Sequence, residues 1–167
     1  MQTHDNEHRH SPRVKIGFTC GAFDLLHAGH VLMLKEAKSV CDHLIVGLQT
    51  DPTIDRLNKY RPVQSLGERR LQLEAIRYVD KVVAYSTEAE LLILLRSINP
   101  DVRIVGADHR NQPFTGDDMS IPVHFNRRDH DWSTSELRGR VYREEFRRKV
   151  LEGTDEPGSG YRNEASY

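Results

Sequence analysis

The chain has 167 residues, with 24 Lys and Arg against 25 Asp and Glu and a net charge of −1. That length favours one domain with room for a sizeable core, and the balanced charge argues against general nucleic-acid binding. No apolar stretch approaches the roughly 20 residues of a membrane span, no N-terminal segment has the charged-then-apolar pattern of a secretion signal, and Cys20 and Cys41 are too few for a disulfide scaffold. The two cysteines flank apolar runs and read as buried reduced thiols, and the simplest compartment is the cytoplasm.

Residues 1–12 are polar and read as a disordered tail, despite His4, His8 and His10. The apolar run Val14 to Thr19 predicts a first strand. Gly21 to His30 follows as a glycine turn and the opening of a helix over Gly29 to Val40, whose inward stripe would be Val31, Leu34, Ala37 and Lys38. His43 to Leu48 predicts a buried strand, and Leu57 to Leu66, with Pro62, a loop. Gly67 to Val79 predicts a helix with Leu71, Ala75, Ile76 and Val79 on one side. Lys81 to Tyr85 predicts a strand, Glu88 to Ile98 a helix, and Val102 to Val105 and Ile121 to Phe125 two more strands. Ser133 to Val150 predicts a long amphipathic helix, with a loose tail from 151 to 167. The folded domain would therefore run from 13 to 150. Strands alternating with helices imply crossovers, hence an α/β doubly wound parallel sheet covered on both faces. In such folds ligands bind at the carboxyl ends of the strands, near the switch in strand order.

The loop after the first strand is such a place. A helix start presents free N–H groups and the positive end of its dipole to an anion. His27 and His30 are three residues apart and share a helix face, so both rings could reach one phosphoryl group. Gly29 has no Cβ and would let a nucleotide approach closely. The segment points to chemistry on a nucleotide phosphate.

These residues carry a resemblance. Gly21-x-Phe23-Asp24-x-x-His27-x-Gly29-His30 resembles the signature of the nucleotidyltransferase superfamily related to class I aminoacyl-tRNA synthetases. Ile76-Arg77-Tyr78-Val79-Asp80, Val105-Gly106-Ala107-Asp108-His109 and Arg128 to Ser135 follow in that superfamily's order, over roughly residues 14–142. The whole set is most similar to the small cytidylyltransferases that act on glycerol 3-phosphate. The resemblance implies a Rossmann-like fold and transfer of a nucleoside monophosphate, CMP from CTP, to a small phosphorylated alcohol such as glycerol 3-phosphate. Pyrophosphate would leave. It further implies Mg²⁺ carried by the triphosphate rather than by protein side chains, a homodimer, and no nucleic-acid or membrane partner.

The same resemblance implies site residues. His27, His30, Lys59 and Arg128 would be catalytic. Thr19, Gly21, Ala22, Phe23, Asp24, Gly29, Asp108, Ser133, Thr134 and Ser135 would bind the nucleotide, and Arg61, Arg69 and Arg77 the acceptor. Ala107 stands where the family's Gly-Asp-Asp has its first aspartate, and Asp131 and Trp132 replace a glycine and an isoleucine.

Plainer readings stand beside these. Arg77 would pair with Asp80 or Glu74, Asp108 would cap a turn, and Ser133 with Glu136 would form a capping box. The run Arg138 to Lys149 would be a solvated face, with Arg140 and Glu144 as i,i+4 partners. Two other functions remain open. Heptose-type sugar-phosphate adenylyltransferases share Gly-x-Phe-Asp-x-x-His-Ala-Gly-His and an Arg-Pro-Val loop, both present here, whereas Arg77-Tyr78-Val79-Asp80 leans toward cytidylyl transfer. A nucleotide-binding regulatory module without catalysis is the third.

Overall fold

The computed structural model describes residues 13–152. In chain order the elements are β1 (Ile16–Gly21), α1 (Ala28–Ser39), β2 (His43–Gln49), α2 (Leu66–Glu74), β3 (Lys81–Tyr85), α3 (Glu88–Ile98), β4 (Val102–Gly106), β5 (Val123–Asn126) and α4 (Thr134–Leu151), with a single 3₁₀ turn at Ala107–His109. Leu151 closes α4, so the folded part passes residue 150. The tails expected over 1–12 and beyond residue 152 lie outside the described residues. No described helix is long and apolar enough to cross a membrane.

The strands form one parallel sheet in the order β3-β2-β1-β4-β5. The chain walks outward from β1 to β3, then returns to β1's other side with β4. The crevice between β1 and β4 is therefore the switch point, where a doubly wound sheet opens to a ligand. Aspartates pin the amino ends of the central strands: Asp42 accepts from Lys15 N, Asp101 from Ile16 N and Asp80 from Leu44 N, each at 2.7–2.8 Å.

Alternation along the strands sorts side chains onto two faces. Leu44, Val46 and Leu48 of β2 join Leu34, Ala37 and Leu73 under α1 and α2. Ile45 of β2 and Phe18 of β1 turn the other way, against Tyr85 and against Leu91 and Leu95 of α3. Each such aliphatic or aromatic burial is worth about 1.5–3 kcal/mol.

Two helices depart from the periodicity reading. The second helix stops at Glu74, not Val79. Ile76 and Val79 close turns onto Leu73 and Ile76 instead, because Ile76, Tyr78 and Val79 all pack on the core under α1 and α2 and a continued helix could not aim all three inward. Its inward face is also rotated. Leu71, expected inside, is 70% exposed, and Arg69 is 2% exposed. The last helix is not a buried amphipathic element, since none of its residues is buried.

The burial of Arg69 follows from its donors. Its Nε donates to Gln64 O, one terminal nitrogen to Ala22 O and Gln49 O, and the other to Thr50 O, at 2.7–3.1 Å. This corrects the expectation that Arg69 binds the acceptor: its guanidinium is taken up by backbone carbonyls at the ends of β1 and β2. Arg69→Met should lower the unfolding free energy by at least about 3 kcal/mol, because four backbone carbonyls lose the charged donor that Arg69 supplies. A urea-unfolding midpoint equal to that of the parent chain would show that these bonds do not hold the strand ends.

Candidate active site

A cleft of about 890 Å³ opens over the carboxyl ends of the strands. One half is built from the end of β1, the start of α1, the end of β5 and the start of α4. The loop that leads into it is conformationally demanding. Phe23 and Leu25 both have φ of +48°, the left-handed region that side chains with a Cβ rarely occupy. The neighbours hold that shape. Leu25 N donates to Gln64 Oε1 at 2.8 Å, Gln64 N to Asp24 Oδ1 at 2.9 Å, and Thr134 Oγ1 to Asp24 O at 3.2 Å. Arg138 from α4 pairs with Asp24 at 2.5 Å.

Asp24 is therefore a clamp inside the fold. Burial works against its charge, but the N–H groups of Gln64 and Val63 and the Arg138 guanidinium outweigh burial and hold the carboxyl below its ordinary range. Arg138 is correspondingly drawn out of the solvated run in which the sequence placed it. Arg140 pairs with Glu136 rather than Glu144, and Glu144 with Arg147. That pairing uses the Glu136 carboxylate, so the capping box expected at α4 is half made: Ser133 Oγ accepts from Glu136 N at 3.2 Å.

His27 is the N-cap of α1, one position ahead of its first residue, and accepts from Gly29 N through Nδ1 at 3.1 Å. The His30 ring stacks on it, with centroids 4.0 Å apart and planes at 27°. A Cβ on Gly29 would fall 2.8 Å from His130 Cε1 and 3.0 Å from the Trp132 carbonyl, so the glycine seats the loop before α4 against the histidine pair. Burial and the neighbouring His27 push His30 down to about 4. Burial, with His130 and Arg128, lowers His27 as well. Both rings are neutral near pH 7. Because His27 Nδ1 accepts, its proton sits on Nε2, 3.4 Å from Thr134 Oγ1. Thr134 spends its own hydrogen on Asp24 O, so His27 Nε2–H is the donor of that contact and is aimed at the start of α4.

The other half of the cleft is built from the ends of β2 and β3 and the start of α3. Gln49, Arg56, Lys59, Tyr85, Glu88, Arg103 and Thr115 line it. Arg56 donates to Gln49 Oε1 at 2.7 Å and lies 3.2 Å from Glu88. Arg103 is 4% exposed, donates to Thr115 O and lies 5.0 Å from the Phe114 ring centre. Cys20, beside Arg103 and Tyr85, has its thiol pushed up by burial.

The cleft gathers all four residues expected to be catalytic, His27, His30, Lys59 and Arg128, together with Thr19, Gly21, Ala22, Gly29, Asp108, Ser133 and Thr134. Phe23 and Asp24 lie buried beneath it and Ser135 faces solvent. None of the expected acceptor arginines lines it. Arg61 is exposed and pairs with Asp51 at 3.0 Å. Arg77 is exposed on the turn after α2, and neither acid expected to pair with it does so: Asp80 binds Lys38 at 2.5 Å and Glu74 binds Arg70 at 2.7 Å. The residues that occupy the second half instead, Arg56, Glu88 and Arg103, belong to no motif. A charged residue inside the apolar run Val102 to Val105 was the one signal the sequence carried. Among the described residues no group of three or more His, Cys, Asp and Glu is placed to hold a metal ion.

The model of the cytidylyltransferase-like family matches residues 18–140, and the chain belongs to that family of nucleotidyltransferases. It is 45% identical over 109 residues to the bifunctional protein HldE of Caulobacter sp. strain K31, covering 65% of this chain and 22% of that one. It is 37% identical over 131 residues to the HldE protein of Helicobacter pylori strain HPAG1, covering 77% and 28%. The chain thus spans about a quarter of these relatives. Among solved structures, the lipopolysaccharide core biosynthesis protein of Thermoplasma volcanium GSS1 shares the fold, with a TM-score of 0.52 and 22% identity over 80% of this chain and 90% of that one.

The neutral imidazoles set a pH dependence. His30 has a folded-state pKa near 4 and about 6.5 when unfolded. Between those values the unfolded chain binds more protons, so stability is full above pH 6.5, falls as pH drops through that window and levels off below about 4. Melting temperatures from pH 7 to 4.5 should fall less steeply for His30→Gln than for the parent chain. Parallel curves would show that His30 is not held neutral.

Proposed function

We propose that this domain transfers the AMP group of ATP to a sugar phosphate and releases pyrophosphate. One observation carries the reading: a single cleft joins a pair of neutral, N–H-donating imidazoles at a helix start to a second half lined by two arginines and a carboxylate. Relatives that bear the name HldE favour the sugar-phosphate alternative over CMP transfer to glycerol 3-phosphate. The Ala28-Gly29-His30 and Arg61-Pro62-Val63 segments, shared with heptose-type enzymes by resemblance, agree with that choice.

The chemistry needs no side-chain nucleophile. An acceptor phosphate, with a second pKa of about 6, is largely ionised near pH 7 and can attack the α-phosphorus directly, in line with departing pyrophosphate. The protein's part is to hold two anions together and to stabilise the charge that grows on the α-phosphoryl oxygens. His30, and His27 Nε2–H on leaving its long 3.4 Å contact with Thr134, supply donors at that point without the solvation cost of a buried cation. Ser133, Thr134 and the N–H groups opening α4 suit the β- and γ-phosphates. Lys59 and Arg128, both exposed at the cleft, are placed to close on the triphosphate. This donor set fits phosphate oxygens, and Mg²⁺, which keeps several waters and phosphate ligands, would enter with the nucleotide and neutralise part of its charge.

Pyrophosphate release with ATP, CTP, GTP and UTP, each against glycerol 3-phosphate and a panel of hexose and heptose phosphates, tests the reading. ATP with a sugar phosphate should give the highest kcat/KM, and His30→Ala should cut kcat on the order of 100- to 1,000-fold. Preference for CTP and glycerol 3-phosphate would overturn it.

We also propose a homodimer, the commonest closed assembly. Tyr142, Phe146 and Val150 lie along one side of α4 and are exposed, with the two rings stacked 6.4 Å apart. Light scattering at micromolar concentration should report twice the chain mass, and a monomer would refute the assembly.

A further inference from the structure

The second half of the cleft holds polar groups whose bonding is incomplete. Arg103 is 4% exposed, and its Nε has no partner among the described residues; the same is true of Arg56 Nε. A buried donor left without an acceptor costs about 1–3 kcal/mol, so both nitrogens are matched to an oxygen that arrives with a ligand. Glu88, the first residue of α3, is joined to Arg56 directly and to Arg103 through Thr115. Its carboxylate accepts from Thr115 Oγ1 and weakly from Gln49 Nε2 at 3.4 Å, and forms an ion pair with Arg56 at 3.2 Å. A carboxylate offers about four lone-pair positions and no donor, so the long Gln49 contact leaves room for another hydrogen.

Such a set discriminates between chemical groups. Glu88 repels a second phosphate in this half and accepts from hydroxyls. The two arginine Nε–H groups require oxygen acceptors. A sugar hydroxyl meets both needs, since each one donates a hydrogen and accepts one, and adjacent hydroxyls on a ring present these in pairs. A phosphate belongs at the other side, toward the imidazoles and Arg128.

We propose that Glu88, braced by Arg56 and Thr115, is the specificity-determining residue for the acceptor: it binds ring hydroxyls, Arg56 and Arg103 donate to their oxygens, and the cleft thereby selects polyhydroxy phosphates over glycerol 3-phosphate. This rests on the sugar-phosphate reading above.

Steady-state kinetics of the parent chain, Glu88→Gln and Glu88→Ala test it, with ATP held saturating and heptose 1-phosphate, its singly deoxygenated analogues and glycerol 3-phosphate as acceptors. Glu88→Gln should raise KM for heptose 1-phosphate about 10- to 100-fold, the size expected for a hydrogen bond to a charged group. The variant's kcat and KM for ATP should stay within a few-fold. The parent chain should lose a similar factor on at least one deoxygenated analogue, and that loss should vanish in the variant. If Glu88→Gln melts below the assay temperature, Glu88→Asp, which keeps the charge but withdraws the carboxylate, gives the same comparison. A variant that weakens ATP and acceptor equally, or that still discriminates against the deoxygenated analogue, would leave Glu88 a structural brace and overturn the assignment while sugar-phosphate transfer stands. Pyrophosphate release by the parent chain with glycerol 3-phosphate alone would overturn both.

Discussion

The end of β1, the end of β2 and the entry to α2 are joined through one guanidinium. Arg69 reaches Ala22, Gln49, Thr50 and Gln64 through their carbonyl oxygens, three of them at or just past strand ends and the fourth just before α2. Two of these carbonyls bracket the active cleft: Ala22 opens the loop to His27, and Gln49 closes β2 beside Arg56. With Arg69 in place, Gln64 is set to bond Asp24 and Leu25, and the left-handed backbone at Phe23 and Leu25 is held against its cost of roughly 1–3 kcal/mol per residue. The histidine pair stands on that loop, so its position depends on a residue whose guanidinium is taken up by the backbone.

Electrostatics then divides the cleft. The imidazole half keeps its rings neutral, because burial and nearby cations oppose another positive charge. Neutral rings still donate one hydrogen bond each, and they meet an incoming anion without first breaking an internal ion pair. Positive charge is supplied at the rim, by Lys59 and Arg128, where solvation of the free side chains is cheap. In the other half the charges are paired before any ligand arrives, Arg56 with Glu88 and Arg103 with the Thr115 carbonyl and the Phe114 ring. The charges of that half are paired while its two arginine Nε–H groups have no partner among the described residues, a set matched to the polyol proposed above.

Much of this was legible along the chain. The strands at Lys81–Tyr85 and Val102–Gly106 and the helix Glu88–Ile98 follow from apolar runs of the right length between polar punctuation. The histidines and glycine at 27–30 stood out because their spacing is local. The arginines expected at the acceptor do not line the cleft. Arg69 and Arg77 share a face only if the helix continues, and α2 ends at Glu74. Periodicity also placed Leu71 inside, but four carbonyl oxygens below the helix require an arginine there, and Leu73 with Arg69 sets the face. Asp80 was expected to answer Arg77 and instead caps the amino end of β2.

The sequence by itself determined the parallel α/β architecture, the histidine-bearing loop at the start of α1 and the family, because each rests on patterns a few residues long, where neighbours along the chain are neighbours in space. Only the tertiary structure decided which charged residues fill the second half of the cleft. Arg56, Glu88 and Arg103 come from a loop, a helix start and a strand, and meet only once β2 and β4 are laid on either side of β1 and β3 beside β2. A side chain's role there is set by whichever backbone carbonyl or carboxylate reaches it first, which spacing along the chain does not encode.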